Sequence, residues 1–179
     1  MSEKRPPQLL MRRSLAGLPP LNPESGCRVR PLGPGEEEAL TRVLQSAFPE
    51  RAWTVEWVRS ALTQAPDVEA VYVVELDGRI VGTASARRVP DRFPGEGYLH
   101  WVGVDPGAQG RGLGRLATLR VLHHFRDAGV ASVVLETDDF RLPAIRSYLA
   151  LGFAPQPVHE SHPARWRAVL EALGPAGER

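Results

Sequence analysis

Apolar and polar positions alternate across Cys27–Leu32, which predicts a short strand with one buried face. Gly33-Pro34-Gly35 punctuates the chain, and a helix is expected from about Glu36 to Ala47, with acidic residues in the first turn where the helix dipole favours them. Pro49 interrupts. Val55, Val58, Ala61 and Leu62 recur at helical spacing, so a second helix is expected from about Thr54 to Gln64. The β-branched run Ala70–Leu76, the turn Asp77-Gly78 and the run Arg79–Arg88 read as a hairpin. A loop rich in Pro and Gly, Pro90–Gly97, leads into a strand over Tyr98–Val104. A helix opening at Gly110 runs to about Asp127, broadly apolar through Leu113, Leu116, Val121, Leu122 and Phe125, and Gly129 caps its end. A strand over Ser132–Thr137 and a helix over Leu142–Leu151, stopped by Gly152, follow.

The order β, α, α, β-hairpin, β, α, β, α predicts one α/β layer structure, a mixed sheet flanked by helices. Residues 1–25 are proline-rich and weakly patterned, and are expected to be a flexible or loosely docked extension. Residues 26–179 are expected to form a single domain with a variable tail from about residue 156. In that tail Pro155, Pro157 and Pro163 break the chain, and Ala164–Leu173 regains a helical pattern with Trp166 as a packing anchor.

Composition narrows the class. A length of 179 residues suits one domain with a sizeable core. A net charge of +1 provides no field for nucleic acid or a membrane surface. No apolar run approaches the roughly 18 residues of a membrane span, and no signal-peptide core is present, so a soluble cytoplasmic protein is expected. Cys27 is the only cysteine, which rules out an intrachain disulfide and fits a reducing compartment. His123-His124 and His159/His162 lack companion ligands at metal spacing, so no metal site is expected.

The chemistry concentrates in residues 98–115, YLHWVGVDPGAQGRGLGR. An apolar strand, an Asp-Pro-Gly turn and a glycine-punctuated loop open directly into a helix. Uncovered backbone N–H groups and the positive end of the helix dipole make an anion site, commonly a phosphate site. The dinucleotide fingerprint fails because Arg115 stands where its third glycine belongs, and the P-loop fails because Gly112 is followed by Leu113-Gly114. What remains is Q-x-x-G-x-G over Gln109–Gly114 behind Val102-Gly103-Val104.

That loop resembles the acetyl-CoA loop of the GCN5-related N-acetyltransferases. A second stretch, ETDDFRLPAIRSYLALGF, is similar to that family's other signature, with Ala144, Tyr148, Gly152 and Phe153 at the family spacing. The resemblance covers roughly residues 27–155 and implies a mostly antiparallel mixed sheet and direct acetyl transfer from acetyl-CoA, the donor cosubstrate, to a primary amine on a small molecule or protein. It assigns the backbone of Val102, Gly103 and Val104 to the pantetheine arm. Gln109, Gly110, Arg111, Gly112, Leu113, Gly114 and Arg115 fall on the pyrophosphate loop, with Arg111 or Arg115 adding charge-assisted contacts. Tyr148 would protonate the departing thiolate.

The base is open, with two residues foremost. Glu136 stands at the spacing to Tyr148 used in the ribosomal-protein N-terminal acetyltransferase branch. His100 lies on the strand beside the thioester, and an unperturbed imidazole titrates near neutrality. Glu96, Asp138 and Asp139 are further candidates. Arg141 stands where the family usually has Asn, and either reaches a phosphate or points to solvent. Trp53, Trp57, Phe93 and Trp101 either line an acceptor pocket or belong to the core. The protein is expected to be a monomer or homodimer. A non-catalytic acyl-CoA-binding module is the alternative.

Overall fold

Residues 6–23 and 25–174 are described by a computed structural model. Seven strands form one sheet in the order β2-β3-β4-β5-β6-β1-β7. They are β1 (Leu9–Ser14), β2 (Cys27–Pro31), β3 (Val68–Leu76), β4 (Arg79–Arg87), β5 (Gly97–Val104), β6 (Ser132–Thr137) and β7 (Ala154–Gln156). Every neighbouring pair is antiparallel except β5 and β6. The mixed, mostly antiparallel sheet flanked by helices is therefore as the sequence predicts. At the β3–β4 turn both Asp77 (φ 49°) and Gly78 (φ 78°) are left-handed, the geometry that suits a two-residue hairpin between twisted strands.

The helices are α1 (Glu37–Ala47), α2 (Val55–Val58), α3 (Leu113–Asp127), α4 (Leu142–Ala150) and α5 (His162–Leu173). The main core lies between the sheet and α3, with Phe125, Leu122 and Leu119 sealed against Leu99, Val133 and Leu135. A second cluster packs α1 and α2 onto the other face through Leu40, Leu44, Val58 and Trp53. The expected helix from Thr54 to Gln64 is not uniform. Thr54 caps α2 by accepting from Trp57 N–H at 3.1 Å, and the chain then widens into a π-turn over Arg59–Thr63.

The main correction concerns the N-terminal segment. Within the stretch read as a flexible extension, residues 9–14 form β1, an interior strand between β6 and β7. Leu9 and Met11 are wholly buried, and Leu15 N–H donates to Ala131 C=O at 2.9 Å. Farther on, Pro19 C=O is 2.8 Å from His123 Nε2 on α3. Residues 1–5 and 24, also covered by that reading, lie outside the described residues. Six residues carry too little periodicity to announce a strand whose partners stand more than a hundred positions away. β7 was unforeseen for a related reason. Pro155 is tolerated there because β7 is the sheet edge and needs no second ladder. Truncating Met11 to Ala is expected to destabilise the protein by about 2 kcal/mol, read from the denaturant midpoint, because a buried cavity replaces the side chain. A loosely docked segment would show almost no change.

Candidate functional site

The site begins with an incomplete ladder. β5 and β6 run parallel and pair only at Gly97↔Val133 and Tyr98↔Val134. Past those residues the strands diverge, and no further β5–β6 pairing occurs among the described residues. On that side the backbone of β5 up to Val104 faces a gap rather than a partner.

On its other side β5 pairs with β4 and carries an extra residue. The register passes from Thr83↔Gly103 to Ser85↔His100, so Trp101 and Val102 together oppose Ala84. This is a β-bulge, which bends a strand and re-aims its side chains. Trp101 adopts φ 49°, a strained conformation for a bulky residue. Gly103 answers a close approach: a Cβ there would stand 2.9 Å from both the Ala47 Cβ and the Phe48 ring. Val102, Gly103 and Val104 thus lie together on the bulged strand at the gap, between α1 and α3.

After β5, Asp105 accepts from Gly107 N–H at 2.9 Å and sets a short 3₁₀ turn over Pro106–Ala108. Gln109 Nε2 donates to Val104 C=O at 3.3 Å, so its side chain holds the loop against the strand. Gly110 and Gly112 are left-handed, with φ 78° and 71°, and a Cβ on either would meet nothing within 4 Å. Gly112 is the N-cap of α3 and no side chain caps this end, so the N–H groups of Leu113, Gly114 and Arg115 are left for a ligand. Leu113 buries its side chain as an anchor. Arg111 and Arg115 are exposed and form no ion pair among the described residues. An uncapped helix start behind open glycines suits a phosphate.

Tyr148 is buried on α4 with its ring edge-on to Phe153, 5.8 Å between centroids. Burial pushes its phenol well above the ordinary tyrosine range, against an opposing effect from Arg141. The hydroxyl therefore keeps its proton at working pH, and it bonds no protein group among the described residues.

Glu136, at the end of β6, is held by two donors. Arg92 Nη2 donates to Oε1 at 2.6 Å, and Tyr98 O–H donates to Oε2 at 2.9 Å. Tyr98 lies stacked on Phe93, with centroids 5.7 Å apart. Neither Tyr98 nor Arg92 was singled out from sequence. The signal for Tyr98 was its position two residues before His100 on one strand, whereas Arg92 sits in a loop with no pattern to read.

His100 stands between Tyr98 and Trp101, with ring centroids 5.4 and 4.9 Å away. Its Nδ1 is buried and lacks a hydrogen-bond partner. Burial, reinforced by Arg87 and Arg51 and opposed by Asp67, pushes its pKa down to about 3. This corrects the expectation of an imidazole titrating near neutrality: a group this reluctant to protonate is a poor acceptor for an amine's proton at neutral pH. The same shift carries a sign for stability. Below pH 6.5 the unfolded chain protonates His100 while the folded one does not, so stability falls as pH drops from 6.5 towards 3. From this group alone, about 2 kcal/mol should disappear between pH 7.5 and 5, and His100→Gln should flatten that part of a urea-melt pH series.

Arg141 takes neither expected course. It pairs with Glu50, lies 3.8 Å from Asp138 through Nε, and covers the Phe48 ring at 4.6 Å. The arginine thus ties the α4 entrance to the chain following α1. Of the remaining carboxylates, Glu96 is bound by Arg12 and Ser132, and Asp139 by Arg165. Trp53 and Phe93 are buried, and Trp57 and Trp101 half-buried. Among the described residues no three His, Cys, Asp or Glu side chains converge as a metal set, and no helix is long and apolar enough to cross a membrane.

Comparison with known proteins agrees with this geometry. The model of the acetyltransferase (GNAT) family matches residues 38–153. A mycothiol acetyltransferase from Thermomonospora curvata is 42% identical over 153 residues, covering 81% of this chain and 50% of that protein. Another from Nocardia farcinica is 37% identical, covering 86% of this chain and 54% of that protein. The chain spans about half the length of these curated relatives. Among solved structures, a GCN5-related N-acetyltransferase from Sphaerobacter thermophilus superposes with a TM-score of 0.66 at 25% identity, over 84% of this chain and 50% of that one. The Escherichia coli ribosomal-protein-S18-alanine N-acetyltransferase gives a TM-score of 0.61 at 24% identity, over 72% and 77% of the two chains, a likeness of fold.

Proposed function

Because this chain belongs to the GNAT acetyltransferase family, we propose that it transfers the acetyl group of acetyl-CoA directly to a primary amine on a small molecule. The observation that carries this reading is the β5–β6 divergence running into the uncapped, glycine-lined start of α3. The amides of a pantetheine arm can complete the ladder that β6 abandons, along Val102, Gly103 and Val104. The N–H groups from Gly110 to Arg115 suit the pyrophosphate, with Arg111 and Arg115 free to add charge. The small-molecule acceptor follows the mycothiol acetyltransferases, the relatives with 37–42% identity.

In the reaction the amine nitrogen bonds to the acetyl carbonyl carbon, and the carbon–sulfur bond breaks as the tetrahedral intermediate collapses. Tyr148 gives its proton to the leaving thiolate. Glu136 takes the proton the amine loses on a lone pair that its bonds from Arg92 and Tyr98 leave open. The neutral, half-buried His100 shapes the acceptor face instead of moving protons.

The test is thiol release from acetyl-CoA by the purified chain with a panel of small amines that includes the amine precursor of mycothiol. Release that depends on one such amine supports the reading. A second reading, an acyl-CoA-binding module without turnover, has one observation in its favour: Glu136 is held by a donor on each of its oxygens, as a structural carboxylate is. Saturable CoA binding with no thiol release for any amine would establish it.

A further inference from the structure

Trp53, Trp57 and Trp101 stand nearly perpendicular to one another. Trp53 lies 4.8 Å from each of the other two ring centroids at 89° and 85°, and Trp57 and Trp101 are 5.9 Å apart at 84°. Three mutually crossed indoles enclose a corner walled by π-faces. The Arg51 guanidinium occupies that corner, 5.4, 5.5 and 4.8 Å from the Trp53, Trp57 and Trp101 rings. No carboxylate pairs with it among the described residues, since neighbouring Glu50 goes to Arg141. Arg51 is exposed, so its charge is held by ring faces with water on the remaining side.

Two features set this corner apart from ordinary packing. It is built on the strained residue of the bulge, Trp101, next to Val102 of the proposed pantetheine strand. The indole N–H of Trp101 is also buried without a partner, as is Nδ1 of the adjoining His100, whereas Trp53 Nε1 donates to Phe48 C=O at 3.0 Å. Strain and two orphaned polar atoms at one place mark a surface shaped for something other than its own stability.

We propose that the Trp53–Trp57–Trp101 box is a subsite for a cationic group of the acceptor, and that Arg51 is its resident occupant, displaced when such an acceptor enters. This rests on the acetyltransferase reading of the same site. The cation it takes is not the reacting nitrogen. A charge resting on π-faces stays protonated, while an attacking amine must give up its proton. The box therefore selects acceptors carrying a second positive centre (an ammonium, a quaternary ammonium or a guanidinium) and anchors that end while the free amine reaches the thioester.

The box can be tested without acetyl transfer. Indole fluorescence of the full chain is titrated with choline and with its uncharged tert-butyl isostere. Removing the occupant with Arg51→Ala should tighten choline binding about tenfold over the unsubstituted protein, with the isostere binding no better, because the attraction is to charge. Adding Trp57→Ala should abolish it. No choline binding by Arg51→Ala, or equal binding of the isostere, overturns the box. The acceptor role is then read from the ratio of kcat/KM for cadaverine to that for pentylamine. The unsubstituted protein should favour the diamine, and Trp57→Ala should lose the preference while still acetylating pentylamine. Choline binding without diamine preference overturns the acceptor role. If neither amine, nor any other, is acetylated, the acetyltransferase reading fails and the acceptor role falls with it, while the choline titration still decides the box.

Discussion

Tyr148→Phe is expected to lower kcat by about two orders of magnitude, at the low end of what a positioned general acid contributes, with the KM for acetyl-CoA unchanged. The substitution removes one oxygen and leaves the ring against Phe153, its aromatic partner. That hydroxyl bonds no protein group among the described residues, so the melting temperature should stay where it is and the loss can be assigned to chemistry. The pH profile provides a second reading. Burial holds the phenol protonated well beyond the ordinary range, so kcat of the unsubstituted enzyme should show no alkaline fall from loss of this donor up to about pH 10. An unchanged kcat in Tyr148→Phe would remove the tyrosine from the reaction.

Gly112→Glu should weaken CoA binding about a hundredfold. Like charges about 4 Å apart in a partly screened setting repel by roughly 4 kcal/mol, more than the 2.7 kcal/mol that a hundredfold represents. A Cβ at this position meets no atom within 4 Å, so the fold has room for the side chain. The left-handed φ of 71° adds a strain of about 1 kcal/mol, which makes Gly112→Ala the proper control. Alanine shares the backbone penalty without the charge and should bind CoA much more tightly than the glutamate variant. Equal CoA affinity in the glutamate variant and the unsubstituted protein, measured by calorimetry, would mean that the pyrophosphate does not sit at the start of α3.

Much of this architecture was legible from local pattern. The β3–β4 hairpin announced itself because Asp77-Gly78 can take two consecutive positive φ angles where most pairs cannot. The extent of α3 was legible to its end at Asp127 from its apolar stripe, but it starts at Leu113, three residues past the expected Gly110, because the left-handed Gly110 and Gly112 keep that stretch in a loop. β1 was not: Leu9-Leu10-Met11 is an apolar triplet in a proline-rich context, and only the edges offered by β6 and β7 make it a strand. The roles of charged residues were the least legible. Nothing local distinguishes Arg141 from any solvent-facing arginine beside an i−3 carboxylate, and the two partners that tie it across the fold, Glu50 and the Phe48 ring, lie more than ninety positions away. The same holds for Arg92 and Tyr98 on Glu136, and for the burial that keeps His100 neutral.

By itself the sequence determined the α/β element order from β2 to α4, the two signatures that mark the family, and a glycine-lined helix start suited to phosphate. These depend on backbone conformations and spacings that neighbouring residues impose within a few positions. Only the tertiary structure decided where β5 parts from β6, how the bulge turns Trp101, which donors hold Glu136, and that Trp101 joins Trp53 and Trp57 around Arg51. Those outcomes depend on burial and on through-space distance, and residues distant in the chain acquire both only when the sheet has assembled.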